Sequence, residues 1–349
     1  MKIKNPGLTI LFCAAFCLLC RAAFSQERIK VSQFQVRKTW RIGGDGWWDY
    51  LTADPQAHRL YIGRANRVQI VDTDTGKLVH EIGGMQGVHG VALDDRGKFG
   101  YISDGAANAV RVFDRTTLEV TANIPAGENP DAILFEPSTQ RVFAFNGRGK
   151  SATVIDSATD KVLATIPLPG KPEFAQTDNK GAIYVNIEDR NQIVRIDAKD
   201  LKVTAAWYIA PCESPTGLAI DRANRRLFSV CDNKLMTVVD ADTGHVVATP
   251  VIGDGPDGTR YDAKRHLIFS SNGEGTLTVV QQKSASSYQP VQTLTTLRGA
   301  RTLALDAVSG TIYLVTASFG ARPAPTPLNP RPRPAMVPNS FVVLVVTAK

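Results

Sequence analysis

Seven residues, Asp49, His89, Asp131, Glu173, Thr216, Asp257 and Arg301, each stand five positions ahead of an acid that ends a short apolar run. Those acids are Asp54, Asp94, Glu136, Asp178, Asp221, Asp262 and Asp306, spaced 40 to 44 residues apart. Equivalent positions of a repeat meet in space if the repeats close into a ring. Four carboxylates and an imidazole would then share one opening and offer oxygen and nitrogen to a cation or a cationic small molecule. Clustered carboxylates repel one another until something compensates them, and Arg301 is an internal candidate for that role. The same residues fit a plainer role. Pro130, Pro172, Pro215 and Pro256 precede the ring position, so its Asp and Glu also suit turns in which a carboxylate caps backbone N–H groups.

Other polar residues fall on loops expected at the same opening: Asp104, Asn146, Asn186, Glu188, Asp232 and Asn272. Each serves equally as a turn former. Trp47, Trp48, Tyr50 and Phe174 flank the ring positions; they can stack a base or sugar, or plug a channel as packing. Phosphate recognition needs Lys or Arg, which the ring lacks apart from Arg301. Nucleic acid is therefore not favoured there, and its basic contacts would come from Arg64, Arg67, Arg148 and Lys150.

The elements that position these residues repeat with the acids. After each run ending in an acid comes a second strand (LYIG, GYIS, VFAF, IYVN, LFSV, LIFS, IYLV). A third ends VQIVD, VRVFD, ATVID, IVRID, MTVVD, LTVVQ and VVLVV, and most copies have a fourth, such as VLATIPL (162–168) and VVATPVI (246–252). Four short strands joined by turns such as DTDTG and DADTG make an antiparallel blade. A period of about 40 residues with four strands marks a β-propeller. The seventh copy ends after its third strand, and QVRKTWRI (35–42) precedes the first copy. The expectation is an all-β propeller of seven four-stranded antiparallel blades, with the N-terminal strand completing the last one.

The units RLYIGRANRVQIVDTDTGKLVHEI, RVFAFNGRGKSATVIDSATDKVLATIPL and RLFSVCDNKLMTVVDADTGHVVATPVI resemble the YVTN-repeat, YncE-like family of seven-bladed propellers. The resemblance covers roughly 36–320 and resumes over 341–347. It implies a protein exported to the periplasm or cell surface. At least one member of the family is reported to bind single-stranded DNA, and related repeats occur in adhesive surface-layer modules or beside redox domains.

Residues 1–25 read as a secretory signal peptide: Lys2 and Lys4, an apolar stretch from Leu8 to Cys20, and Ala23 and Ser25 as small residues before the cut. The rest, 26–349, is expected to be one propeller domain, periplasmic or secreted, without a transmembrane segment and monomeric. Cleavage leaves 37 basic and 33 acidic residues, a charge of +4, which is weak attraction for a polyanion. It also leaves Cys212 and Cys231, expected as a disulfide in an exported chain, with free thiols as the alternative. The stretch 320–340 carries seven prolines, which impose an extended form. It interrupts blade seven as either a flap over the opening, with Arg322, Arg331 and Arg333 facing the acids, or a solvated spacer.

Several enzyme classes fail on residues. There is no G-x-S-x-G and no H-E-x-x-H; Gly149-Lys150-Ser151 mimics a phosphate loop, but Ala144 replaces its first glycine. DTDTGKLVH (72–80) holds part of a quinoprotein docking motif with His80 where Trp belongs, and His58, His80, His245 and His266 are scattered. The sequence thus points to an exported, non-enzymatic binding or interaction propeller that meets a small molecule or protein at the channel mouth, with no cofactor required. The alternatives are a calcium-assisted, lactonase-like hydrolase, with Asp49, Asp131, Glu173 and Asp257 plus Asn146 or Asn186 as oxygen ligands, and a single-stranded DNA binder.

Overall fold

The computed structural model describes residues 1–2, 33–326, 332 and 334–349. The signal-peptide expectation and the side chains of Arg331 and Arg333 lie outside the described residues.

The predicted strands form seven four-stranded antiparallel sheets arranged as the blades of one propeller. Blade one runs Trp48–Asp54, Arg59–Arg64, Arg67–Asp72 and Leu78–Ile82 from axis to rim, and the next five blades repeat this order. Blade seven takes Leu303–Leu305, Ile312–Thr316 and Val342–Ala348 from the C-terminal end and Phe34–Arg41 from the N-terminal end. Phe34 pairs with Ala348 and Arg41 with Val342. The ring is therefore closed by backbone hydrogen bonds between distant parts of the chain, and Val342–Ala348 is not left as an uncovered outer edge.

Second strands are buried along almost their whole length, whereas outer strands such as Lys161–Pro167 are mostly exposed. The apolar cores accordingly lie between blades. Tyr61, Val68 and Ile70 of blade one pack with Val91, Ile102 and Phe113 of blade two. Across the closure, Trp40 joins Leu60 and Ile62 of blade one to Tyr313, Val343 and Val345 of blade seven. The fourth strand of blade five is shorter than its sequence implies. Regular pairing covers only Val246–Ala248, and Pro250, which lacks an N–H, serves only as an acceptor, from Met236.

The recurring acids fix the hairpins. Asp221 Oδ1 accepts the N–H groups of Ala223 and Asn224, and Glu136 accepts those of Ser138 and Thr139. At the third strand, Asp72 takes Thr75 N and Oγ1 at 2.8 and 2.7 Å. Some acids also join blades: Arg115 spans Asp54 at 2.5 Å and Asp94 at 3.3 Å. Cys212 and Cys231 are disulfide-bonded, with Cα atoms 5.4 Å apart. No helix among the described residues is long and apolar enough to cross a membrane.

Candidate functional site

A shared irregularity carries the ring residues into the channel. In blade one Trp48 pairs with Arg64 and Leu51 with Ile62, so Asp49 and Tyr50 together oppose Gly63. The same two-against-one arrangement holds at His89–Gly90, Asp131–Ala132, Glu173–Phe174 and Thr216–Gly217, and a pairing skip falls at Asp257. A β-bulge re-aims side chains that strict alternation would send to opposite faces.

The bulged backbone is stitched from blade to blade. Ser103 Oγ donates to the carbonyl of Asp131 at 2.5 Å, Asn186 Nδ2 to that of Thr216 at 2.8 Å, and Thr302 Oγ1 to that of Asp49 at 2.9 Å. Blade one has Gly63 at the position of Ser103, because a Cβ there would lie 2.2 Å from the carbonyl oxygen of His89.

Four of the predicted residues converge. His89 Nδ1 lies 2.7 Å from Asp49 Oδ2 and 3.5 Å from Asp131 Oδ1. Across the channel, Tyr50 Oη donates to Glu173 Oε1 at 3.2 Å. Asp257 and Arg301 form a separate pair, Oδ2 to Nε 3.1 Å. The carboxylates of Asp49, Asp131, Glu173 and Asp257 accept no backbone N–H among the described residues; turn capping belongs to the repeat acids instead. Among the described residues Asp131 Oδ1 is buried without a hydrogen bond, its cationic neighbour His89 Nδ1 standing 3.5 Å away.

The remaining sequence candidates sit elsewhere. Thr216 turns into the wall, where its hydroxyl donates to Pro256 O at 2.9 Å. Asn186 is held between the Thr216 carbonyl and Ser229. Asn146 Nδ2 contacts Ser151 and Thr153, while its Oδ1 is buried without a donor. Trp48 faces a side cleft rather than the acids. Arg64 is fully buried under Phe341, bonded to Gln69 and to the carbonyls of Asp45 and Gly46, so it offers nothing to a phosphate.

Two residues that the repeat count did not single out complete the mouth. Lys171 Nζ lies 3.2 Å from Glu173 Oε2 and is also paired with Glu188. Deeper in, Arg260 lies over Phe174 at 4.8 Å, and Phe174 meets Tyr50 edge-on at 5.1 Å. These three belong to blades six, four and one, which are not neighbours and so meet only on the axis. Their signals in the sequence were faint: Lys171 replaces the Gly, Asn or Ser found two residues before most ring positions, and Arg260 stands where other copies carry mostly small or apolar residues.

The charges are tuned by this enclosure. Burial, reinforced by neighbouring carboxylates, raises Asp131 to about 6, Asp257 to about 7 and Glu173 to about 8. Burial opposes the charge on His89, but the Asp49 hydrogen bond and the Asp131 and Asp49 charges outweigh it and bring the imidazole to about 9. At neutral pH the mouth therefore holds protons that an incoming cation can displace. The ligand atoms of Asp49, His89 and Asp131 lie within 4.8 Å of one another, a set that can ligate a divalent ion through one nitrogen and two oxygens.

The fold is shared widely. The chain is similar to the solved structure titled Kuenenia stuttgartiensis hydrazine synthase, with TM-score 0.68 and 16% identity over 76% of this chain and 91% of that one. It is also similar to U3-55K, with TM-score 0.73 and 9% identity over 89% and 98%. At these identities the likeness is one of architecture. No protein-family model and no curated protein sequence matches the chain.

Proposed function

We propose that this chain is an exported, non-enzymatic binding propeller of the YVTN-repeat, YncE-like type, and that its channel mouth takes up a cationic group. The observation that carries this reading is the state of the ring carboxylates. They are drawn into the channel by bulges, cap no backbone among the described residues, and in Asp131 leave a buried oxygen that no well-formed hydrogen bond satisfies, with His89 Nδ1 3.5 Å away. Burying acids in this way costs stability unless a partner offsets it, and a ligand is the partner a binding site supplies. Residual exposure of 13% at Asp131 and 14% at Asp257 leaves the acids open to the mouth.

The test is calorimetric titration with manganese, calcium and spermidine, against wild type and the Asp131→Asn, Asp257→Asn double variant. Binding of at least one of these below millimolar concentration, weakened tenfold or more in the variant, is expected. Absence of binding, or equal binding by both proteins, would remove the mouth as the site.

The three-ligand cluster at Asp49, His89 and Asp131 favours one alternative, a metal-assisted hydrolase. In it the bound ion would polarise a carbonyl or a water. Metal-dependent opening of simple lactones, lost in His89→Ala, would favour that reading over plain binding.

A further inference from the structure

We infer that a second site lies beside the mouth: a cleft of about 790 Å³ between blade seven, the N-terminal strand and the root of the Pro-rich insertion, built for a planar aromatic anion. The inference goes beyond the mouth reading and concerns the opposite charge. The cleft volume falls within the range of small-molecule sites, roughly 300–1,000 Å³.

Two sets of side chains define the ligand. The first is cationic. Arg41, Arg298, Arg301 and Arg322 line the cleft, and among the described residues no Asp or Glu does. Among the described residues Arg41, Arg298 and Arg322 make no ion pair, while Arg301 reaches Asp257 through Nε. Arginines lining one concavity give it a positive potential that draws anions. Guanidinium groups suit carboxylate or phosphate, whose oxygens match the planar fork.

The second set is aromatic. Trp47 is 45% exposed and lies nearly parallel to Phe319, with ring centroids 6.0 Å apart at 23°. Trp48 backs both rings, 6.3 Å from Trp47 and 6.0 Å from Phe319, and is itself seated on Phe341 at 5.3 Å. Held by two supporting rings, Trp47 still keeps 45% of its surface exposed at the cleft, which is area for contact with a planar partner. The wall opposite the strand is anchored as well. Gly320 N donates to Ala335 O at 2.9 Å and Val337 N to Ser318 O at 2.8 Å, which ties together the two chain segments that bring Arg322 and Pro334 to the cleft.

The ligand class is thus a flat π-system bearing a carboxylate or a phosphate. Intrinsic tryptophan fluorescence titrated with 2-naphthoate and with 2-naphthyl phosphate tests it and separates the two anions. 2-Naphthylmethanol and cyclohexanecarboxylate serve as the uncharged and the non-planar control. At least one naphthyl anion should bind below millimolar concentration and at least tenfold tighter than either control. The Arg298→Gln, Arg322→Gln double variant should lose tenfold or more with an unchanged melting temperature, and Trp47→Ala should lose a comparable amount by calorimetry. Asp131→Asn, which disables the mouth, should leave naphthyl binding as it is. Equal binding of the controls, no binding of either anion, or indifference to the arginine variant would overturn the inference.

Discussion

Tyr50 reaches across the channel from blade one and donates its phenolic hydrogen to Glu173 of blade four at 3.2 Å. Blades one and four are not neighbours, so this bond is made on the axis, in the layer between the acidic mouth and the Arg260–Phe174 plug. It couples the plug to the electrostatics above it. Burial pushes the phenol well above its ordinary 10.0 and the Glu173 carboxyl up to about 8, so near neutral pH the phenol keeps the hydrogen it donates.

Tyr50→Phe keeps the packing against Phe174 and removes the donor. Glu173 then loses a group that favours its ionised form. Its titration, followed by carbon-13 NMR of the labelled carboxyl, should move to higher pH, with the fold unchanged by circular dichroism. A Glu173 titration at the wild-type pH would show that the bond has no electrostatic weight.

Stability should fall as pH rises. Glu173 goes from an ordinary 4.5 to about 8, Asp257 from 3.8 to about 7 and Asp131 from 3.8 to about 6. Between those limits the folded protein binds more protons than the unfolded chain, so unfolding free energy declines with pH. His89, raised from 6.5 to about 9, has the same sign: its contribution is complete below 6.5 and lost towards 9. Melting temperature should therefore be higher near pH 5 than near pH 9. Glu173→Gln should flatten the part between about 4.5 and 8, and an unaltered profile in that variant would contradict the assignment.

Gly63→Ala drives a methyl into the His89 carbonyl, 2.2 Å from the ideal Cβ position, whereas a Cβ on Gly83 meets nothing within 4 Å. Overpacking of that kind costs about 1–3 kcal/mol. Gly83→Ala should stay within about 0.5 kcal/mol of wild type, as surface changes do. Urea denaturation of both proteins gives the comparison, and equal stability would mean that the inter-blade approach at His89 relaxes freely.

Trp40 stands 9% exposed in the closure core, against Tyr313 at 5.7 Å. Trp40→Ala should cost about 3–5 kcal/mol, because the cavity opens where the ends of the chain are joined. The effect should appear as a lower urea midpoint. A loss below 1 kcal/mol would indicate that backbone pairing alone holds the ring.

Replacing both Cys212 and Cys231 with Ser removes a link spanning 19 residues. For a loop of that size the expected loss is about 3 kcal/mol. The same drop should follow reduction of the wild-type protein, and a reducing agent should leave the double variant's midpoint where it was.

The amino-acid pattern settled the blade count, the pairing of chain ends and the equivalence of the ring positions. Each rests on local information: strand-length apolar runs, turn residues, and acids such as Asp221 and Asp262 that bond to N–H groups two and three residues on. What the ring residues do was decided only by packing. In their Pro-Asp contexts Asp131 and Asp257 suit turn capping as well as a ring at the channel mouth, and it is the bulges that aim them into the channel, where water is too scarce to solvate them fully. Thr216 occupies the same register but turns into the wall, because its hydroxyl finds the Pro256 carbonyl of the next blade. Trp48, Arg301 and Arg322 are separated by up to 274 positions and carry no shared motif. They line one cleft solely because closure of the ring brings the first and last blades together.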